Sequence, residues 1–234
     1  MIFTIPVTTR VEDFDQRGLL TPTALLSIFE NTAVRHAETV GYSPMNDSLR
    51  NGMAWVITNW RVEMDRAPAY DEPFTASTWL CNNPRQATRE MLLHSAGGEV
   101  LARGQAKLAL VDRSSNKPCL PTPERLAAYQ PEQRTAFADR LPRLRPPAAC
   151  TAVSPVLLRR SDMDYNGHLH NTAYLSLALD AAPPEVTAAG VRTFRLSYRS
   201  PLRLGDQTTL QSCPQPEGWT AAFVRGDEVC AVVA

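Results

Sequence analysis

A chain of 234 residues, 44% hydrophobic and 21% charged, is long enough to bury one large core or two small ones. Lys plus Arg and Asp plus Glu balance at 24 each, which excludes a partner held mainly by nonspecific electrostatics, such as a nucleic-acid backbone or an anionic membrane surface. The five cysteines, at 81, 119, 150, 213 and 230, are odd in number and never form a CxxC pair, so neither a disulfide framework nor a zinc site is expected and a reducing cytoplasm is the expected compartment.

The opening run Met1 to Val7, interrupted by Thr4 and Pro6, reads as a strand rather than a signal peptide, and no segment of the sequence suits a membrane span. Thr21 then offers an N-cap with Pro22 at the first helical position. Leu25, Leu26, Phe29 and Ala33 form an apolar stripe, and Gly41 marks the stop. Alternating apolar and polar residues predict a strand from Trp55 to Glu63. Further strands are predicted at Phe74 to Leu80, Thr88 to Ser95 and Val100 to Asp112, separated by turn residues as in an antiparallel meander. Residues 114–155, rich in Pro, Arg and Ala, read as a connector in which Pro123 to Tyr129 can form a short helix.

Chemistry concentrates in the ten residues Asp162-Met-Asp-Tyr-Asn-Gly-His-Leu-His-Asn171, just ahead of a second helical run, Thr172 to Ala182. Asp164, Asn166 and His168 are spaced by two, so an extended or open loop points all three the same way. Asn171 is the expected cap of the helix, whose stripe is Tyr174, Leu177, Ala178 and Ala181 and which Pro183-Pro184 end. Strands follow at Val191 to Tyr198, Gln207 to Ser212 and Trp219 to Val224.

The two halves repeat one another. Asp13-Phe14-Asp15-Gln16-Arg17-Gly18-Leu19 recurs as Asp162-Met163-Asp164-Tyr165-Asn166-Gly167-His168, an offset of 149 between Asp15 and Asp164, and each copy leads into a helix. Leu19 stands where the second copy has His168, so the first copy is expected to be catalytically silent. Asp164 can act as a nucleophile or as a base, His168 can donate a proton or a hydrogen bond, and Asn166 can fix the carboxylate or donate its amide to an oxyanion. The first amides of the following helix point to the same place, and Gly167 permits close approach to the backbone. The alternatives are an ordinary polar capping loop, or a metal site on His168 and His170 that lacks a spaced third ligand. His36 and His94 sit in helical and strand-like runs without chemical company and are expected to be structural.

Two copies of a helix on a curved antiparallel sheet make a tandem double hotdog, an α+β fold, and the details resemble the acyl-acyl carrier protein thioesterases over nearly the whole chain. In the first half the resemblance rests on Asp15, Gly18, Thr21-Pro22, Leu25-Leu26-Ser-Ile-Phe29-Glu30, Trp55 to Trp60 and Thr78-Trp79-Leu80. In the second it rests on Asp164-Tyr-Asn166-Gly-His168-Leu-His-Asn171-Thr-Ala-Tyr174, then Tyr198 and Gly205-Asp206. It implies an amino-terminal hotdog (1–113) whose apolar residues, Leu25, Ile28, Phe29, Trp55, Ile57 and Trp60 among them, are core first and acyl pocket second. The connector (114–155) and a catalytic carboxy-terminal hotdog (156–234) follow. The activity implied is hydrolysis of a fatty acyl-acyl carrier protein by Asp164, Asn166 and His168, with no cofactor or metal. The partner implied is the carrier protein with its phosphopantetheine-linked acyl chain, and a homodimer stays open. Arg192, Arg195, Arg199 and Arg203, or Arg134, Arg140, Arg143 and Arg145, can meet that acidic partner, although solvated surface is the commoner fate of such charges. The family also places a glutamate three positions after the strand tyrosine, where this chain has Pro201. Its absence leaves water to Asp164, to His168, or to another acid such as Asp180, and keeps two rivals open: an acyl-coenzyme A thioesterase and a noncatalytic acyl- or carrier-binding protein.

Overall fold

The periodicities above demand a striped helix and a meander of strands, and the computed structural model contains that pair twice. It describes residues 1–81, 87–141, 143–147, 152–216 and 218–234. They form two units, Met1–Arg140 and Leu141–Ala234.

The first unit runs β1 (Phe3–Pro6), α1 (Pro22–Thr39), α2 (Pro44–Arg50), β2 (Met53–Met64), β3 (Phe74–Cys81), β4 (Ala87–Ser95), β5 (Val100–Asp112), β6 (Lys117–Cys119) and α3 (Pro123–Ala128). The strands pair antiparallel in the order β1, β3, β4, β5, β2, with β6 added at the end of β5. Thr21 caps α1 as predicted, its hydroxyl accepting the Ala24 amide at 3.2 Å with Pro22 at the first turn. Leu25, Leu26 and Phe29 are fully buried, each stabilising the unit by about 1.5–3 kcal/mol. The helix lies close on the sheet because Gly104 of β5 leaves room for the Phe29 ring. A Cβ there would come within 2.7 Å of it.

The second unit runs β7 (Ala152–Val156), α4 (Asn171–Ala181), α5 (Pro184–Thr187), β8 (Thr193–Tyr198), β9 (Thr208–Gln215), β10 (Gly218–Arg225) and β11 (Glu228–Val233). Its sheet is antiparallel in the order β8, β11, β10, β9, β7. α4 buries Tyr174, Leu175 and Ala178. The Tyr174 ring meets Phe223 of β10 edge-on at 5.1 Å. Each unit is thus a hotdog, as expected.

Five elements escaped the periodicities: α2, α5, β6, β7 and β11. The connector read at 114–155 holds β6, α3 and β7, and the division between the units falls inside it; its Pro142 and Cys150 lie outside the described residues. Pro183-Pro184 end α4 as predicted, but Pro184 also opens α5, the role proline plays well at a first helical turn. No helix among the described residues is long and apolar enough to cross a membrane.

Candidate active site

The loop between β7 and α4 is built by one carboxylate. Asp164 Oδ1 accepts the Asn166 amide at 2.8 Å and the His168 amide at 3.1 Å, while the Asp164 amide donates to the His168 carbonyl at 2.7 Å. Gly167 closes the turn by donating to the Asp164 carbonyl at 3.0 Å, and its φ of 71° lies in the left-handed region that glycine enters without cost. The three residues therefore come together by folding back on Asp164. Of the two conformations the spacing by two allowed, the structure has the loop rather than the strand, because the aspartate satisfies the amides that an extended strand would leave for a neighbour. Asp164 Oδ2 faces the Asn166 side-chain amide at 3.4 Å and, among the described residues, receives no backbone amide. One oxygen of the nominated carboxylate is thus anchored, and the other keeps lone pairs for chemistry.

Outside the turn the loop is held from two sides. His170 donates its amide to the Asp162 carbonyl and Leu169 donates to the Leu202 carbonyl, both at 2.8 Å. Asp162 is spent on the Arg159 amide at 2.8 Å, which closes the short 3-10 turn over Arg160–Asp162. The helix cap is His170 rather than Asn171: the ring Nδ1 accepts the Thr172 amide at 3.4 Å, and Asn171 is the first helical residue. This is the position that Thr21 holds one repeat earlier, so the duplication was a better guide to the cap than residue preference.

The first unit contains the same loop without the same chemistry. Asp15 Oδ1 accepts the Arg17 and Leu19 amides at 2.8 and 3.1 Å, and Gly18 also has a φ of 71°. There the second oxygen is closed: Arg17 Nε and Nη2 both donate to Asp15 Oδ2, at 2.9 and 2.8 Å. Hydrogen bonds from Arg17 and from the loop amides hold the Asp15 carboxyl below its usual range against the opposing effect of burial, which is the larger single influence named.

Position 201 is an exposed proline whose carbonyl accepts from Arg225 at 3.2 Å. The neighbouring acids are engaged, since Arg225 binds both Asp206 and Glu228 at 2.7 Å. Asp180 sits exposed in the last turn of α4. That is about nine residues along the helix from Asn171, roughly 14 Å at the α-helical rise.

His36 has more company than the sequence suggested. It is fully buried, stacked on Phe3 at 5.3 Å and edge-on to Tyr129 at 5.2 Å, with Arg89 Nη1 3.1 Å from its Nδ1. Burial, with Arg89 adding to it, pulls its pKa down to about 4, so it stays a neutral core residue. Arg199 donates to the Leu144 carbonyl at 3.3 Å, and Arg134 stacks on Trp79. Among the described residues no group of three or more His, Cys, Asp or Glu side chains is placed to hold a metal ion.

Comparison with known proteins bears on the same residues. The family described as the acyl-ACP thioesterase N-terminal domain matches residues 2–129, and that described as the acyl-ACP thioesterase C-terminal domain matches residues 149–224. An oleoyl-acyl carrier protein thioesterase of Arabidopsis thaliana is 25% identical over 194 residues, 75% of this chain and 53% of that protein. An acyl-[acyl-carrier-protein] hydrolase of Cuphea viscosissima is 24% identical over 219 residues, 85% and 52% of the respective chains. The chain thus spans about half the length of these relatives. In fold it is similar to an acyl-ACP thioesterase from Bacteroides thetaiotaomicron (TM-score 0.88, 21% identity, covering 99% of this chain and 96% of that one). It is likewise similar to the 12:0-ACP thioesterase from Umbellularia californica (TM-score 0.85, 15% identity, covering 99% and 95%). With both family domains matched in order across most of the sequence, and the aspartate loop formed in each unit, the chain belongs to the acyl-ACP thioesterase family.

Proposed function

We propose that this protein hydrolyses the thioester of a fatty acyl chain carried on acyl carrier protein, releasing the free fatty acid and so ending chain elongation. The observation that carries the proposal is the carboxylate of Asp164, with Oδ1 fixed by two backbone amides and Oδ2 left facing the Asn166 amide on a loop that ends in His168 and a helix N-terminus. Fixing one oxygen orients the other at no entropic cost during the reaction. In this reading Asp164 Oδ2 takes the proton of an attacking water, or attacks the acyl carbon itself to form a mixed anhydride that water then hydrolyses, regenerating the carboxylate. Asn166 holds the carboxylate and His168 protonates the departing thiolate. The carbon–sulfur bond breaks, and the acyl group leaves as a carboxylate and the phosphopantetheine as a thiol. Tyr165, 59% exposed between the two loop residues, is placed to touch an incoming carrier.

Free-thiol release from acyl carrier protein thioesters of short to long chains tests the proposal, with coenzyme A thioesters of equal length alongside. Turnover that is lost in Asp164→Ala and His168→Ala, with the fold intact, supports it. Preference for the coenzyme A series moves the carrier but keeps the chemistry. A second reading has its own observation, the proline at position 201 in place of the family's carboxylate. Tight binding of every carrier thioester with no turnover supports a noncatalytic acyl-carrier-binding role.

A further inference from the structure

We propose that Tyr174 is a positioning residue for the Asp164–His168 loop, acting through the backbone of Leu202. Its phenol oxygen accepts the Leu202 amide at 3.2 Å, and the Leu202 carbonyl in turn accepts the amide of Leu169, the residue after His168, at 2.8 Å. Helix α4 thereby grips the segment between β8 and β9, and that segment grips the loop. The phenol is itself fixed: Tyr174 is 3% exposed and its ring meets Tyr198 at 5.3 Å and Phe223 at 5.1 Å. Leu202 is wholly buried, so its amide has no recourse to water if the phenol is removed.

The internal repeat supplies the control. In the first unit Leu20, the counterpart of Leu169, donates to the Pro68 carbonyl at 2.9 Å, so the carbonyl half of the arrangement is kept. The other half is absent. Proline has no amide to satisfy, and the helical position of Tyr174, fourth after the cap, is held by Leu25. Leu25 and Pro68 are both buried without a phenol or an amide at these positions. The tyrosine hydroxyl is therefore not required by the fold. It accompanies Asn166 and His168 in the unit that carries the chemistry, where a loop placed about 1 Å wrongly can cost up to about a hundredfold in rate.

The kinetic arm of the test rests on the thioesterase reading and the exchange arm does not. In Tyr174→Phe, hydrogen exchange of the Leu169 and Leu202 amides should accelerate at least about tenfold while β2 is unchanged, and kcat should fall about tenfold with KM within about twofold. In the natural protein these two amides should open together, at matching exchange rates, a measurement that needs no variant to fold. Exchange at Leu169 unaffected by Tyr174→Phe, or Leu169 opening much faster than Leu202 in the natural protein, overturns the relay. Faster exchange with unaltered kcat overturns the positioning role. Natural protein that is inactive on every thioester, yet shows the exchange response, removes the thioesterase reading and leaves the relay standing.

Discussion

The Asp15 loop and the Asp164 loop share one backbone and differ in what meets the second carboxylate oxygen. In each, Oδ1 takes the amides two and four residues on, at 2.8 and 3.1 Å, and a glycine at φ 71° closes the turn. In the first unit two guanidinium nitrogens cover Oδ2, whereas in the second a single amide stands 3.4 Å from it. The aspartate and the glycine therefore make the turn, and the residues at the second and fourth positions after the aspartate are where the two copies differ. Duplication kept the first pair for folding and freed the second pair to diverge.

The largest effect expected is on activity, and it should be asymmetric. Asp164→Ala should lower thioester turnover by about 10² to 10⁴-fold, and Asp15→Ala should leave it within about twofold, because both lose the same two amide bonds but only one loses a reacting group. Equal losses would show that the aspartates serve folding alone. Asn166→Ala and His168→Ala should each cost about a hundredfold in kcat, while Arg17→Ala and Leu19→Ala should leave kcat unchanged, measured on the same carrier thioester.

A smaller contrast lies in the histidines. His36 titrates at about 4 inside the first unit, below its unfolded value near 6.5, so the unfolded chain binds the extra proton first as pH falls. Stability should therefore be full above about pH 6.5 and decline by up to about 3 kcal/mol towards pH 4. Urea midpoints measured across that range should show the decline, and His36→Gln should flatten it. The smallest effects should be symmetric. Gly18→Ala and Gly167→Ala each force a left-handed residue and should cost about 1 kcal/mol. Thr21→Ala and His170→Ala each remove a helix cap and should cost a similar amount. Thermal denaturation of the four variants checks this, and a large difference within either pair would mean that the two loops are not held alike.

Much of the architecture was legible because periodicity and caps are local. The turn residues on either side of Val100 to Asp112 gave that strand its observed bounds, and Thr21-Pro22 placed the start of α1. Short elements such as β6, with three residues, carry too few positions for a period to show, and β11 was missed because its last four residues, Cys230 to Val233, are all buried and a buried strand does not alternate. The cap at His170 was passed over in favour of Asn171 because asparagine is the commoner capping residue, although the repeat already pointed to it.

What the sequence determined by itself was the repeat, the family and the nomination of Asp164, Asn166 and His168 as candidates, since each depends only on residue type and spacing. What the tertiary structure alone decided was how those residues meet. It showed that one aspartate oxygen folds the loop while the other faces the Asn166 side-chain amide, that Arg17 closes the corresponding oxygen in the first unit, and that Leu202, far along the chain, links Tyr174 to the loop. The reason is that hydrogen-bond geometry and burial bring together residues distant in sequence, and a linear pattern holds no record of which acceptor a given amide will find.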